Sequence, residues 1–169
     1  ALPELGERGQ RNMTTVFRIL NALEAQGYVE RTEAGEYRRG SEAIALGGRA
    51  SRANPLRAVA GPHLRHLSNI TGETVTLEIV RHFDNARATT LVIDEVLGKH
   101  LVGITQYIGT RLPIHATSTG KVILASLPTA DRAAYITYPL RSLTDRTITT
   151  QAEFEAELDH IRAQGYAVV

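Results

Sequence analysis

LPELGERGQRNMTTVFRILNALEAQGYVERTEAGEYRRG, residues 2–40, is the stretch that decides the fold expected for the amino-terminal part of the chain. It predicts a short helix, a turn, a longer helix and a two-stranded β-ribbon, in that order. A winged helix-turn-helix has this order of elements and places one helix in the major groove of DNA. Residues 1–40 are therefore predicted to bind DNA.

The longer helix is predicted from one apolar stripe at helical spacing. Asn12 or Thr14 can cap its start, and Gly27 stands where a glycine after the last turn would end it. Side chains between the stripe positions then face away from the core. The stripe consists of Val16, Ile19, Leu20 and Leu23.

The residues outside this stripe are the predicted DNA contacts. The first turn of a recognition helix meets base edges, and an arginine such as Arg18 reaches a phosphate or a base. The arginines of the ribbon would meet phosphates. A helix packed on a hairpin with solvated arginines is the alternative for the same pattern. The predicted contacts are Met13, Thr14, Thr15, Phe17, Arg18, Asn21, Arg31, Arg38 and Arg39.

Composition excludes several classes of protein. The formal net charge of the 169 residues is only +1, which favours sequence-specific DNA recognition over general coating of nucleic acid. The absence of cysteine excludes disulfide scaffolds and cysteine-rich zinc sites. No apolar run is long enough for a transmembrane helix, and the first residues do not form a signal peptide. A soluble cytoplasmic protein is expected.

The rest of the chain predicts an α+β domain. Residues 41–54 favour a helical connector, and Pro55 suits the first turn of a further helix that reaches Thr71 and contains Pro62. After Gly72 the apolar period changes to two, which predicts a strand whose buried face carries Val75, Leu77 and Ile79. Further strands are predicted at 87–96 and 101–108 and from 166 onward, with helices at 122–126, 129–136 and 151–164. Interleaved helices and strands are typical of a sensing domain of α+β class.

Residues 109–121 carry the strongest chemical signal of this second part. Thr117, Ser118 and Thr119 lie at a predicted helix start, where unpaired N–H groups and the helix dipole favour an anion such as a carboxylate. The alternative is that these hydroxyl groups only cap their own helix. Apolar residues for one wall of such a pocket are Leu101, Ile104 and Leu112.

An enzymatic function is the alternative to a binding function. Ser118 and Lys121 form a conceivable nucleophile and base of a hydrolase-like enzyme, but no oxyanion partner is recognisable. Val122 after Gly120-Lys121 excludes a Walker A loop. We therefore predict no catalytic residue and no enzyme. A purely structural interaction protein is a third, weaker interpretation.

The histidines predict no metal site. His63 and His66 share a helix face at a spacing of three residues, but two ligands without a third do not make a metal site. No metal ion and no cofactor is expected.

Four segments together resemble the IclR family of bacterial transcriptional regulators. They are TTVFRILNALEAQGYVER, GEYRRG, LSNITGETV and GTRLPIHATSTGKVILA. The resemblance covers essentially the whole chain. It implies a winged helix-turn-helix over 1–40 without its first helix, a linker helix over 41–54, and a GAF-like α/β effector-binding domain over 55–169 that is incomplete at its carboxyl end. Gln10-Arg11-Asn12 departs from the family, which usually has Gly-Leu-Pro before the recognition helix.

The resemblance also implies partners and a pocket. The expected partners are double-stranded operator DNA, a small-molecule effector, which we expect to be an organic acid, and a second copy of the chain in a homodimer that can assemble into a homotetramer. No membrane partner is implied. The effector pocket would include the amides of Ser118 and Thr119, with Leu101, Ile104 and Leu112 at its apolar positions.

Overall fold

The computed structural model describes residues 12–81, 88–99 and 107–169. The chain divides into two compact units, Ala1–Pro55 and Leu56–Val169. Several predictions concern residues outside the described ones: the short first helix with its turn, most of the strand at 101–108, and two residues of the apolar wall, Leu101 and Ile104.

From residue 12 onward, where the structure describes it, the first unit contains two helices and a ribbon. Asn12 caps the first helix, because its Oδ1 accepts a hydrogen bond of 2.8 Å from the Thr15 amide. Gly27 follows the helix with a φ of 72°, a left-handed conformation that glycine adopts without strain. Both local predictions are confirmed. The elements are α1 (Met13–Ala25), β1 (Val29–Arg31), β2 (Tyr37–Arg39), which pairs antiparallel with β1, and α2 (Ser41–Arg52).

The predicted apolar stripe of α1 is only half buried. Val16 and Leu20 are each 8% exposed, whereas Ile19 is 51% and Leu23 37% exposed. The prediction that all four face the core is wrong for Ile19 and Leu23. Residues three apart differ by roughly 60° around a helix, so these two form a separate strip beside the buried one.

The second unit contains a three-stranded antiparallel sheet in the order β3-β4-β5 and four helices within the described residues. A 3-10 turn, Ile114–Ala116, joins β5 to the helix that follows. The elements are α3 (Pro55–Thr71), β3 (Val75–Arg81), β4 (Thr89–Val96), β5 (Arg111–Pro113), α4 (Ser118–Ser126), α5 (Thr129–Arg132) and α6 (Gln151–Gln164).

The register of the sheet corrects the predicted face of β3. Val80 pairs with Thr90, which is fully buried, and a β-bulge places Glu78 opposite Val92, which is 1% exposed. Because directly paired residues share a face, Glu78 and Val80 lie on the same face as these buried side chains, not on a solvent face. Alternation alone predicts the opposite face for β3.

The core lies between the sheet and helices α4 and α6. Phe154, Leu158 and Ile161 recur along α6 with the spacing of one helical face and are almost completely buried. They form one cluster with Leu124 and Ala125 of α4. Burial of this face holds α6 in the second unit.

Two details at the ends of α6 differ from the sequence-based expectation. The Thr150 hydroxyl donates to the Glu153 carboxylate at 2.6 Å instead of accepting a backbone amide, so the predicted capping box is incomplete. The helix ends as predicted at Gly165, but Tyr166–Val169 is not a strand. A strand requires a hydrogen-bonded neighbour, and these four residues have none among the described strands.

A close contact fixes the start of α4. Gly120 is buried, and a Cβ built on it would overlap the carbonyl group of Ile114 in the preceding turn. Only a residue without a side chain allows this approach. The glycine therefore sets the distance between the 3-10 turn and α4.

An ion pair joins α3 to the sheet. Arg57 of α3 donates a hydrogen bond of 2.6 Å to Oδ1 of Asp94 in β4, and both side chains are largely buried. The bond from the guanidinium group lowers the pKa of Asp94, against the opposing effect of burial. The carboxylate is therefore more acidic in the folded than in the unfolded protein.

We expect Asp94→Asn to lower the free energy of unfolding by about 1 kcal/mol at neutral pH. Because folding lowers the pKa of Asp94, the extra stability of the wild-type protein over Asp94→Asn is present above the unfolded pKa of about 3.9. It is lost as the pH falls through the pKa that Asp94 has in the folded protein. Denaturant unfolding at a series of pH values measures both the loss of unfolding free energy at neutral pH and its dependence on pH. Asp159→Asn, at an exposed site, should keep the wild-type profile. An Asp94→Asn effect of equal size at neutral and very acidic pH would contradict the assignment.

Gly120→Ala should lower the free energy of unfolding by about 1–3 kcal/mol, because the added methyl group forces the turn and α4 apart. The control is Gly47→Ala in α2, where a Cβ meets nothing within 4 Å. That substitution should be neutral or stabilising. Equal stability of Gly120→Ala and wild type, measured by chemical denaturation, would show that the contact does not constrain the fold.

Candidate functional site

At the start of α4 one backbone amide is hydrogen-bonded, and two others have no partner among the described residues. The Thr117 hydroxyl accepts a hydrogen bond of 3.1 Å from the Gly120 amide, so this hydroxyl caps its own helix, as one of the two sequence interpretations expected. Among the described residues, the amides of Ser118 and Thr119 have no hydrogen-bond partner. Two donors at a helix start, together with the helix dipole, form a site for an anion.

A carboxylate of the sheet lies beside this helix start. Oε1 of Glu78 accepts hydrogen bonds from the hydroxyl groups of Thr119, at 3.2 Å, and Thr76, at 3.4 Å. Its Oε2 atom is buried and has no partner among the described residues. A buried acceptor without a partner is unfavourable, so this oxygen is suited to a ligand that brings a hydrogen-bond donor.

Sequence reasoning missed Glu78. The residue alternates with apolar neighbours in β3, which is the pattern of a solvated position. The bulge before Glu78 changes the register, and no local signal in the sequence indicates it. The role of this side chain emerges only from the pairing of β3 with β4.

One further predicted pocket residue, Leu112, and the neighbouring His115 can be placed. Leu112 lies on β5 opposite Thr90, half-buried, and so belongs to the same face of the sheet as Glu78. His115 holds the segment around Arg141 in place, since its Nε2 lies 2.9 Å from the carbonyl oxygen of Arg141.

The structure does not form the nucleophile pair of the hydrolase alternative. Nζ of Lys121 lies 3.0 Å from Oε1 of Glu157 on α6, and the lysine side chain is only 11% exposed. An ammonium group held in an ion pair is not available as a base for Ser118. Lys121 instead joins α4 to α6.

The predicted DNA contacts of α1 lie mostly on its exposed side. Arg18 and Asn21 are exposed, and so are the apolar side chains of Met13 and Phe17, at 42% and 45%. Thr14 is also exposed, whereas Thr15, whose amide is bonded to Asn12, is half-buried.

The three arginines of the ribbon have different surroundings. Nη2 of Arg38 lies 2.8 Å from Oε2 of Glu30 on the neighbouring strand, and both side chains are exposed. Arg31 lies 5.9 Å from the centre of the Tyr37 ring. No side-chain partner of Arg39 lies within the described part of the chain. An exposed ion pair contributes little, so a phosphate group can replace Glu30 at Arg38.

Within the described ranges, no three His, Cys, Asp or Glu side chains come together in a way that could hold a metal ion, and His63 and His66 are both exposed on α3. None of the helices in those ranges has the length and apolar character needed to cross a membrane.

Comparison with known proteins places this geometry in a family. The family described as "Bacterial transcriptional regulator IclR C-terminal" matches residues 48–169. The chain is 29% identical over 169 residues to the transcriptional repressor IclR of Escherichia coli, covering 99% of this chain and 61% of that protein. It is 36% identical over 167 residues to an HTH-type transcriptional regulator of Mycobacterium tuberculosis, covering 97% of this chain and 61% of that protein.

A solved structure agrees with these matches. The IclR transcriptional regulator from Alicyclobacillus acidocaldarius is similar with a TM-score of 0.80 at 28% identity, over 100% of this chain and 67% of that one. The chain thus spans 61% of the length of these two curated relatives. Its second unit is the α+β effector domain of such regulators, and the chain belongs to the IclR family of bacterial transcriptional regulators.

Proposed function

We propose that this protein regulates transcription by binding operator DNA with an affinity that a small-molecule effector changes. The observation that carries the proposal is the match of residues 48–169 to the IclR effector domain, with a preceding unit that exposes a helix and arginine-bearing ribbon. We assign residues 1–40 to a winged helix-turn-helix, 41–54 to the linker and 55–169 to effector binding. The protein would act in the cytoplasm, where its operator is accessible.

In this proposal α1 is the recognition helix. Its buried strip, Val16 and Leu20, packs inside the first unit, and Arg18 and Asn21 on the exposed side are free to reach bases. Arg38 and Arg39 of the ribbon would bind phosphates, which fix the register without reading sequence. A homodimer would present two such helices to half-sites separated by whole turns of DNA, and tetramers would bind further sites.

The effector is proposed to bind at the start of α4. Its carboxylate would accept hydrogen bonds from the Ser118 and Thr119 amides, with Leu112 on the apolar side. Because Glu78 is a carboxylate too, an acid that also carries a hydroxyl or ammonium group fits better than a simple acid. The added donor would satisfy Oε2 of Glu78.

The effector acts only if it binds one arrangement of the two units better than another. The ratio of its two affinities equals the change in operator affinity that it can cause. Repression and activation differ in which arrangement the effector prefers.

Arg18→Ala should weaken binding to a duplex that the wild-type protein enriches from a random-sequence pool, with a loss of about tenfold or more in affinity. Arg39→Ala should instead weaken all duplexes alike and reduce the salt slope by about 1. Titrations at several salt concentrations separate the two effects. Unchanged affinity of a folded Arg18→Ala protein for the enriched duplex would reject α1 as the recognition helix.

Ser118→Pro should weaken acid binding about tenfold, because proline removes one N–H group. Proline is tolerated at this first helical position, and Thr117 before it is already extended, with φ −123° and ψ 149°. Ser118→Ala, which keeps the amide, is the matched control and should bind as the wild type does.

The assay is a thermal-shift screen that pairs each acid with a hydroxy acid, such as propionate with lactate and benzoate with 4-hydroxybenzoate. An effector at 100 times its Kd stabilises the protein by about 2.7 kcal/mol. Loss of binding in Ser118→Ala, but not in Ser118→Pro, would reject the amides as the anion site.

A further inference from the structure

A cavity of about 760 Å³ lies in the unit Leu56–Val169, and its described lining contains neither Ser118 nor Thr119. Three segments line it: residues 88–89 at the start of β4, residues 113–115 in the turn before α4, and residues 135–141. Its volume falls in the range of small-molecule sites. No predicted pocket residue lies among the described lining residues, so the effector site does not account for it.

Hydrogen bonds hold the walls of this cavity in place. The Ala88 amide donates to the Tyr135 carbonyl oxygen at 3.1 Å, and the Leu140 amide donates to that of Thr149 at 3.0 Å. The ring of His115 bonds the carbonyl oxygen of Arg141, so His115 positions this arginine's backbone. Segment 135–141 is thus held at both ends and in contact with the turn, and the cavity is preformed.

Most of the wall is apolar or aromatic, although Thr89, His115 and Thr137 also line it. Ile136 and Leu140 belong to the buried core, and Pro113 and Pro139 add further apolar surface. Tyrosine side chains at 135 and 138 complete the lining. Apolar and aromatic surface favours an aromatic ring, which stacks on tyrosine or meets it edge-on.

The charges around the cavity favour an anion. Arg141 is exposed at the cavity, and its guanidinium group has no partner among the described residues, while no acidic side chain occurs in the described lining. Glu155 accepts a hydrogen bond of 3.2 Å from the hydroxyl group of the lining residue Tyr138, and this carboxylate is paired with the buried Arg132. A ligand carboxylate would therefore meet a free cation and no uncompensated negative charge.

Tyr138 contributes a neutral wall at all physiological pH values. Its burial, together with the charge and hydrogen bond of Glu155, raises its pKa to about 12. The phenol keeps its proton, so the ring adds no negative charge next to a bound anion.

We propose that this cavity binds an aromatic carboxylate, with the ring between the apolar and tyrosine walls and the carboxylate at Arg141. The site is separate from the start of α4 and does not depend on the proposed effector chemistry there.

The test is calorimetric titration of the protein with benzoate, cyclohexanecarboxylate and benzamide. Benzoate should bind with a stoichiometry of at least one. Cyclohexanecarboxylate should bind several-fold more weakly because its saturated ring is neither planar nor aromatic, and benzamide about tenfold more weakly because it lacks the charge. Equal affinity for benzoate and benzamide, or no benzoate binding at millimolar concentration, would overturn the proposal.

Variants locate the bound benzoate. Arg141→Gln should weaken binding about tenfold, and Thr137→Trp, at an exposed lining position, should block it by filling the opening. The matched control Arg146→Gln replaces an exposed arginine outside the lining and should bind as the wild type does. Circular dichroism checks that each variant is folded.

Ser118→Pro separates this site from the effector site. Benzoate binding that survives Ser118→Pro and is lost in Arg141→Gln and Thr137→Trp supports the cavity. Binding that is lost in Ser118→Pro and survives both cavity variants means that benzoate binds at the start of α4, which overturns the cavity proposal and leaves the proposed function intact.

Discussion

The contact between Gly120 and the Ile114 carbonyl fixes where α4 begins, and the rest of the second unit is arranged around that helix. At its amino end the Thr117 hydroxyl occupies one amide. At its carboxyl end, carbonyl groups accept hydrogen bonds from Arg132, at 3.1 Å, and Arg162, at 2.7 Å, where positive charge also favours the helix dipole. Lys121 binds α6 between these ends. The helix is thus held along its length, and the unpaired amides at its start are presented in a fixed position.

Charged side chains in this unit mostly connect different elements. Arg57 joins α3 to β4, Lys121 joins α4 to α6, and Arg132 joins α5 to Glu155 of α6. A long cation that packs its stem on the core and binds a carboxylate of another element adds geometric specificity as well as attraction. Glu78 is different, because its partners are hydroxyl groups and one of its oxygens is left without any among the described residues. This contrast separates the carboxylates that maintain the fold from the one suited to a ligand.

What the sequence could predict is what depends on a few neighbouring residues. The Asn12 cap and the glycine after α1 can each be recognised from residues no more than four positions apart in the sequence, and the structure contains both. The errors involve distant partners. Exposure of Ile19 depends on what covers α1, the face of Glu78 depends on a bulge between two strands, and the pairing of Lys121 depends on a residue 36 positions away. Periodicity carries none of this information, so the unpaired amides at the start of α4 were predictable and the carboxylate beside them was not.

The turn Ile114–Ala116 lies next to both of the proposed sites. The carbonyl group of Ile114 touches Gly120 at the start of α4, while the same residue lines the cavity of residues 135–141. A ligand bound at either proposed site would therefore contact or constrain the same short turn of backbone. Thermodynamic linkage makes any such coupling reciprocal: the factor by which a cavity ligand changes effector affinity equals the factor by which the effector changes affinity for the cavity ligand. A regulator built in this way would respond to two metabolites jointly, as a sensor of their combination.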